Sequence, residues 1–153
     1  MANRIRLSGS VTGFTLIEVI TVIVMMGVIS VIAVPVFLDY TRDAKEATCR
    51  GSLGSMRTAI ANFRIYTMTS AGGGAARFPS VLELTTSNTV LAGTLPPNPY
   101  DEDGTPNNVV DATGQTKGVV IGTDKGWAYN PTSGEVWANS NSSSGKGNLE
   151  NRF

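Results

Sequence analysis

Three groups of residues have the types and spacing that chemistry requires. The first is Glu18, a lone carboxylate near the start of an apolar run that continues to Leu38. A carboxylate in a membrane helix costs about 2.5–3.5 kcal/mol at the centre and less toward an end, so it needs a cationic partner. The run contains neither Lys nor Arg. The second group is Asp101-Glu102-Asp103-Gly104. Alternate acids before a glycine make Asp101 and Asp103, with Asp111 further on, candidate ligands for calcium, which prefers several oxygens. The remaining spacing and closing glutamate of an EF-hand are missing, and a solvated acidic turn accounts for the same residues. The third is Cys49, the single cysteine, which cannot close an intrachain disulfide.

Catalysis finds little support. The chain has no histidine, the usual general base near neutral pH. The segment AGGGAA, residues 71–76, lacks the trailing Lys-Ser/Thr of a phosphate-cradling loop. Two acids in a proline-rich loop do not form a constellation with mutual geometry. The expectation is a protein that is not an enzyme. Lys and Arg, 12 together, balance 12 Asp and Glu, so the charge gives no indication of a nucleic-acid partner.

The element that must position Glu18 is a helix. Residues 19–38 are interrupted only by Thr21 and Ser30, and twenty helical residues rise about 30 Å, the thickness of a bilayer's hydrocarbon core. Arg4 and Arg6 precede the run without any acid, which places the amino terminus in the cytoplasm. Gly27 and Pro35 lie inside it; glycine costs about 1 kcal/mol and proline about 3 relative to Ala in a helix. Both are also common in membrane helices, so simple tolerance stands beside a second reading, a segment that unwinds on packing.

From Asp39 to about Ser70 the pattern becomes amphipathic. Cys49, Leu53, Met56, Ile60 and Phe63 recur at steps of four, three, four and three, which predicts a helical stripe. Cys49 reads as a small buried hydrophobe on that stripe. Arg50, Arg57 and Arg64, seven apart, form a strip beside it, which reads as solvated or paired between subunits rather than as a grip on an anionic polymer. Residues 71–76 end the helix. Ser80 is a plausible cap for a short helical turn to Leu84, and residues 95–99 (LPPNP) are extended. Strands are expected at 108–112, 118–121, 126–129 and 135–138, the last two joined by the hairpin loop 130–134. Residues 139–153, rich in Ser, Asn and Gly, read as a flexible tail.

A basic leader, Gly13, Phe14, a Thr-Leu-Ile sequence, Glu18 and about twenty apolar residues together resemble the signal of type IV pilins and type II secretion pseudopilins. The resemblance covers the first 45 or so residues well and the rest in outline. It implies cleavage after Gly13 by a membrane-embedded prepilin peptidase, which is also the methyltransferase that N-methylates Phe14. Glu18 is then the residue for methylation and for docking into a filament. Gly27 and Pro35 fall where the family's helix often loosens on assembly. Cutting after Gly13 creates an α-amino group at Phe14 that can neutralise Glu18, within the chain or on an axially shifted neighbour. The family's major pseudopilins also bind calcium near the carboxyl end, but their aspartate-rich ending is not evident here.

The expected fold is α+β and pilin-like, a long amino-terminal helix packed against a small antiparallel sheet. Its parts are a leader 1–13, a transmembrane or filament-core helix 14–38, an amphipathic continuation 39–70, a soluble head 71–138 and the tail 139–153. The expected function is a structural subunit of a type IV pilus-like filament, a homo-oligomer. It waits in the lipid bilayer of the bacterial inner membrane until an assembly platform there extracts it into a periplasmic or extracellular filament. One alternative is a pseudopilin that drives protein export; another is a single-pass anchored binding domain that does not polymerise. No cofactor is expected apart from the calcium just described.

Overall fold

The computed structural model describes residues 13–101, 104–122, 125–141 and 150–153. The chain divides into two compact units, the first ending at Leu38 and the second running Asp39–Phe153. The helix α1, Leu16–Met68, supplies residues to both.

The first unit carries the apolar part of the helix. Its large side chains are exposed throughout, from Leu16 to Leu38. The two polar interruptions are satisfied within the helix. Thr21 Oγ1 donates to the Ile17 carbonyl at 2.8 Å, and Ser30 Oγ to that of Met26 at 2.7 Å. Bonding back to the carbonyl four residues earlier leaves no hydroxyl unpaired in an apolar medium. α1 is long and apolar enough here to cross a membrane.

In the second unit the same helix buries a stripe. Cys49, Leu53, Met56 and Ile60 are fully buried, with Phe63 half-buried, as their spacing predicts. They pack with Leu84, Leu95, Val109, Trp127, Tyr129 and Val136 in one core. The three strands are β1 (Val109–Asp111), β2 (Trp127–Asn130) and β3 (Glu135–Ala138), in that spatial order. β2 and β3 form the expected antiparallel hairpin, Tyr129 opposite Val136.

The sheet is not purely antiparallel, as expected, but mixed: β1 runs parallel to β2, with Val109 beside Trp127. A tight turn obliges antiparallel pairing, but β1 and β2 are joined by the long segment 112–126, which lets the chain return in the same direction. The segment 118–121, expected as a strand, forms none. Side-chain amides replace the ladder there: Asn139 Oδ1 accepts from the Ile121 amide at 2.8 Å and Asn139 Nδ2 donates to the Ile121 carbonyl at 2.9 Å. Trp137 Nε1 reaches the Val119 carbonyl at 2.9 Å.

The hairpin aromatics divide between the two faces. Opposite residues of an antiparallel pair share a face. Trp127 with Ala138, and Tyr129 with Val136, meet the helix, whereas Trp137 with Ala128 packs beneath Ile121 on the other side.

A short clasp ties helix to sheet. α2, Val81–Thr85, begins at Ser80, whose hydroxyl accepts from the Glu83 amide at 3.2 Å while Glu83 accepts from the Ser80 amide at 2.8 Å. Arg77 makes two 2.7 Å bonds to Glu83. The Tyr129 hydroxyl donates to the Pro79 carbonyl at 2.8 Å, and burial pushes its phenol pKa well up. Of the expected flexible tail, residues 142–149 lie outside the described residues; among those described, Asn139, Ser140 and Asn151 are buried and Phe153 packs against the core, so these parts are held rather than flexible. Asn151 Nδ2 donates to the Gly118 carbonyl at 2.7 Å.

Candidate assembly site

Gly13, Phe14 and Thr15 precede the helix, and Phe14 is 87% exposed, so the bond following Gly13 lies beside an uncovered ring. Glu18 falls in the first helical turn, where a negative charge opposes the positive end of the helix dipole. Its Oε2 accepts from both the amide and the hydroxyl of Thr15, each at 2.8 Å. The Thr15 hydroxyl accepts in return from the Glu18 amide at 3.3 Å. This is a capping box, which satisfies donors that a helix start leaves unpaired.

Thr15 is the residue that sequence reasoning missed. Its signal was present: Thr15-Leu16-Ile17-Glu18 has the T-x-x-E spacing of a capping box ahead of an apolar run. Within the intact chain Glu18 therefore has a local partner of modest strength. A helix cap contributes about 0.5–2 kcal/mol.

Gly27 and Pro35 both lie within α1, which passes through them. Around Gly27 there is open space.

The two described calcium candidates, Asp101 and Asp111, accept hydrogen bonds from the chain itself. Asp101 Oδ2 accepts from the Gly126 amide at 3.0 Å. Asp111 Oδ1 accepts from the Thr113 hydroxyl at 2.6 Å and its amide at 2.8 Å, which together hold its carboxyl below the usual range. Asp103 lies outside the described residues. Among those described, no three acids, cysteines or histidines are grouped as a metal would need.

The arginine strip is turned inward, into its own head. Arg57 Nη2 donates to the carbonyl oxygens of Val136 at 3.1 Å and Phe153 at 2.6 Å. Arg50 pairs with Glu46 at 2.9 Å and lies 4.1 Å from the Phe153 ring centre. Arg64 stacks on Phe78 at 4.6 Å. Spacing by seven put these guanidinium groups on one side of the helix; it could not show that carbonyls and rings from far along the chain would meet them.

No family model matches the chain, and no solved structure matches it. The chain is 45% identical over 49 residues to the type IV narrow pilus major component PilA5 of Thermus thermophilus, a match covering 32% of this chain and 42% of that relative. The chain thus matches less than half the relative's length. That match, with the apolar amino-terminal helix and the α+β head, makes the chain similar over its matched segment to a type IV pilin.

Proposed function

We propose that the chain is a structural subunit of a type IV pilus-like filament rather than an enzyme, and that assembly proceeds through residues 14–38. The observation that carries this reading is an apolar helix whose large side chains are exposed, headed by one carboxylate. Before assembly the bilayer covers that helix, with Arg4 and Arg6 on the cytoplasmic side of the inner membrane. Cleavage after Gly13 by the prepilin peptidase frees an α-amino group at Phe14, which the same enzyme N-methylates. Removing the leader takes two of the twelve basic residues with it, leaving the mature chain slightly acidic.

The new amine competes with Thr15 for Glu18. A hydrogen bond to a charged group contributes about 1.5–3 kcal/mol, whereas an unpaired charge buried in apolar surroundings costs several kcal/mol. In the filament, Glu18 of one subunit meets the amine of its axially shifted neighbour, neutralising both charges and fixing the stagger. Thr15 holds the carboxylate in place until then. The relative's name, a pilus component, favours a pilus over a secretion pseudopilus.

Mass spectrometry of the chain from cells that possess the peptidase tests the processing step. The expected species begins at N-methylated Phe14, and an intact leader in those cells would sink the reading. Glu18→Ala should leave membrane insertion intact and abolish filaments.

A further inference from the structure

We propose that residues 150–153 form a strap over the outer edge of the sheet, closing it to strand addition by β3 of a second copy of this chain. The proposal goes beyond the filament reading above, and its test requires no filaments. Among the described residues β3 pairs on one side alone, with β2, so its other side is a sheet edge. The register shows which groups stand there. The Asn139 amide donates to the Gly126 carbonyl at 3.1 Å, so the hydrogen-bonded pairs of the hairpin are Ala128 with Trp137 and Asn130 with Glu135. Val136 and Ala138 therefore turn their amides and carbonyls away from β2. An edge of this kind is a template for another strand. Yet Val136 is 1% exposed and Ala138 is fully buried, so the edge is covered.

The short turn Glu150–Arg152 packs against β3. One guanidinium joins edge to strap, since Arg57 Nη2 donates both to the outward carbonyl of Val136 and to that of Phe153. Arg50 lies over the Phe153 ring, and Asn151 Nδ2 donates to the Gly118 carbonyl. This hold is incomplete. Asn151 Oδ1 is buried and accepts no hydrogen bond among the described residues. Turning the amide over brings no relief, because both partners of its nitrogen, the Gly118 carbonyl and Asn141 Oδ1, are acceptors. A buried acceptor without a donor favours the state in which water reaches it. The strap is thus seated against a standing penalty, and lifting it removes that penalty while uncovering the edge.

The partner follows from the register and the charge of the edge. Two β3 strands meeting antiparallel about Trp137 set Val136 of each opposite Ala138 of the other, and each of these residues then donates and accepts once. In that register Glu135, the charged residue of β3, stands opposite Asn139 and not opposite its own copy, so no like charges meet. The uncovered edge is complementary to itself.

The test uses the full chain in detergent micelles, with amide hydrogen exchange read at Val136 and Ala138 at low and high ratios of protein to detergent. Asn151→Gly combined with Phe153→Gly lifts the strap. The buried tryptophans report that the head stays folded. Expected at the low ratio is exchange of both amides faster than in the parent by about tenfold or more, with protection regained at the high ratio. Adding Val136→Pro removes one outward amide but no bond to β2, and should abolish the protection regained at Ala138. Exchange at the parental rate at the low ratio overturns the strap. Fast exchange at both ratios overturns strand addition by a second copy. Protection that survives Val136→Pro places the association on another surface and overturns the proposal as well. If the double variant loses its tryptophan signal, Phe153→Ala alone, which leaves the Asn151 and Arg57 bonds in place, carries the same readouts with an expected acceleration of about threefold.

Discussion

One helix serves two solvents, and the two halves of α1 show how. Between Leu16 and Leu38 the large side chains are exposed, and even the hydroxyls of Thr21 and Ser30 turn back onto the helix. Between Asp39 and Met68 a quarter-turn stripe is fully buried, and the arginines beside it reach for carbonyls and rings of the head. Backbone geometry is the same in both halves. What differs is where the stabilisation comes from: in the first half from hydrogen bonds within the helix, in the second from packing against distant sequence. On the filament reading proposed above, a subunit that moves from membrane to filament needs this division. Its head has to keep its structure while its apolar half exchanges one covering for another.

The comparison breaks if the outer half also holds the head together. Truncating a buried side chain in the head should cost most. Trp127→Ala is expected to lose about 3–5 kcal/mol and Met56→Ala about 2–5 kcal/mol. Ile29→Ala in the outer half should leave head stability unchanged. Urea titration of the full chain in detergent micelles, followed by tryptophan fluorescence, reads this directly because Trp127 and Trp137 are both buried in the head. A loss from Ile29→Ala as large as that from Met56→Ala would remove the distinction between the halves.

The next effect tests how the helix is clasped to the sheet. Gly134 sits at φ 75° in the hairpin loop, and a Cβ there would run into the Phe78 ring, on which Arg64 also stacks. Gly134→Ala therefore meets backbone strain of order 1–3 kcal/mol together with a displaced ring. Phe78→Ala in the same chain should relieve the steric part. A double-mutant cycle with a coupling near zero would show that ring and glycine do not share the contact.

Much of this organisation was legible in the sequence, and the remainder was hidden for physical reasons. The steps from Cys49 to Phe63 revealed the stripe because helical burial repeats within a few residues. Ser80 announced its helix through the local chemistry of a cap, and the hairpin loop at residues 130–134 through its turn residues. Parallel pairing of β1 with β2 depends on how the segment 112–126 returns, which no short-range pattern records. The division of the aromatics follows from register: Trp127 and Trp137 have opposite faces because Ala128, not Trp127, stands across from Trp137. At the assembly site Glu18 stood out by its cost, whereas Thr15 was overlooked because it looks ordinary on its own.

The smallest effect concerns the electrostatics of the clasp, which the outer helix has no means to copy. Arg77, with help from the Ser80 amide and hydroxyl, pulls the Glu83 carboxyl down to about 2 from an ordinary value of 4.5. A carboxyl whose pKa is lower in the folded chain binds its proton more weakly there, so folding is favoured at pH values where the carboxyl is ionised and the gain is lost as protonation sets in. Its contribution is complete above pH 4.5 and declines as pH falls toward 2. Glu83→Gln removes the pairing with Arg77 but keeps a side-chain oxygen able to accept from the Ser80 amide. The variant should be less stable than the parent at neutral pH by about 1 kcal/mol, the scale of a cap or a partly exposed ion pair. Measured through the head's tryptophan signal, that difference should shrink between pH 4.5 and 2, with no matching change in membrane insertion. A difference independent of pH across that window would mean that the Glu83 charge contributes nothing and that the clasp is held by Phe78, Pro79 and Tyr129 alone.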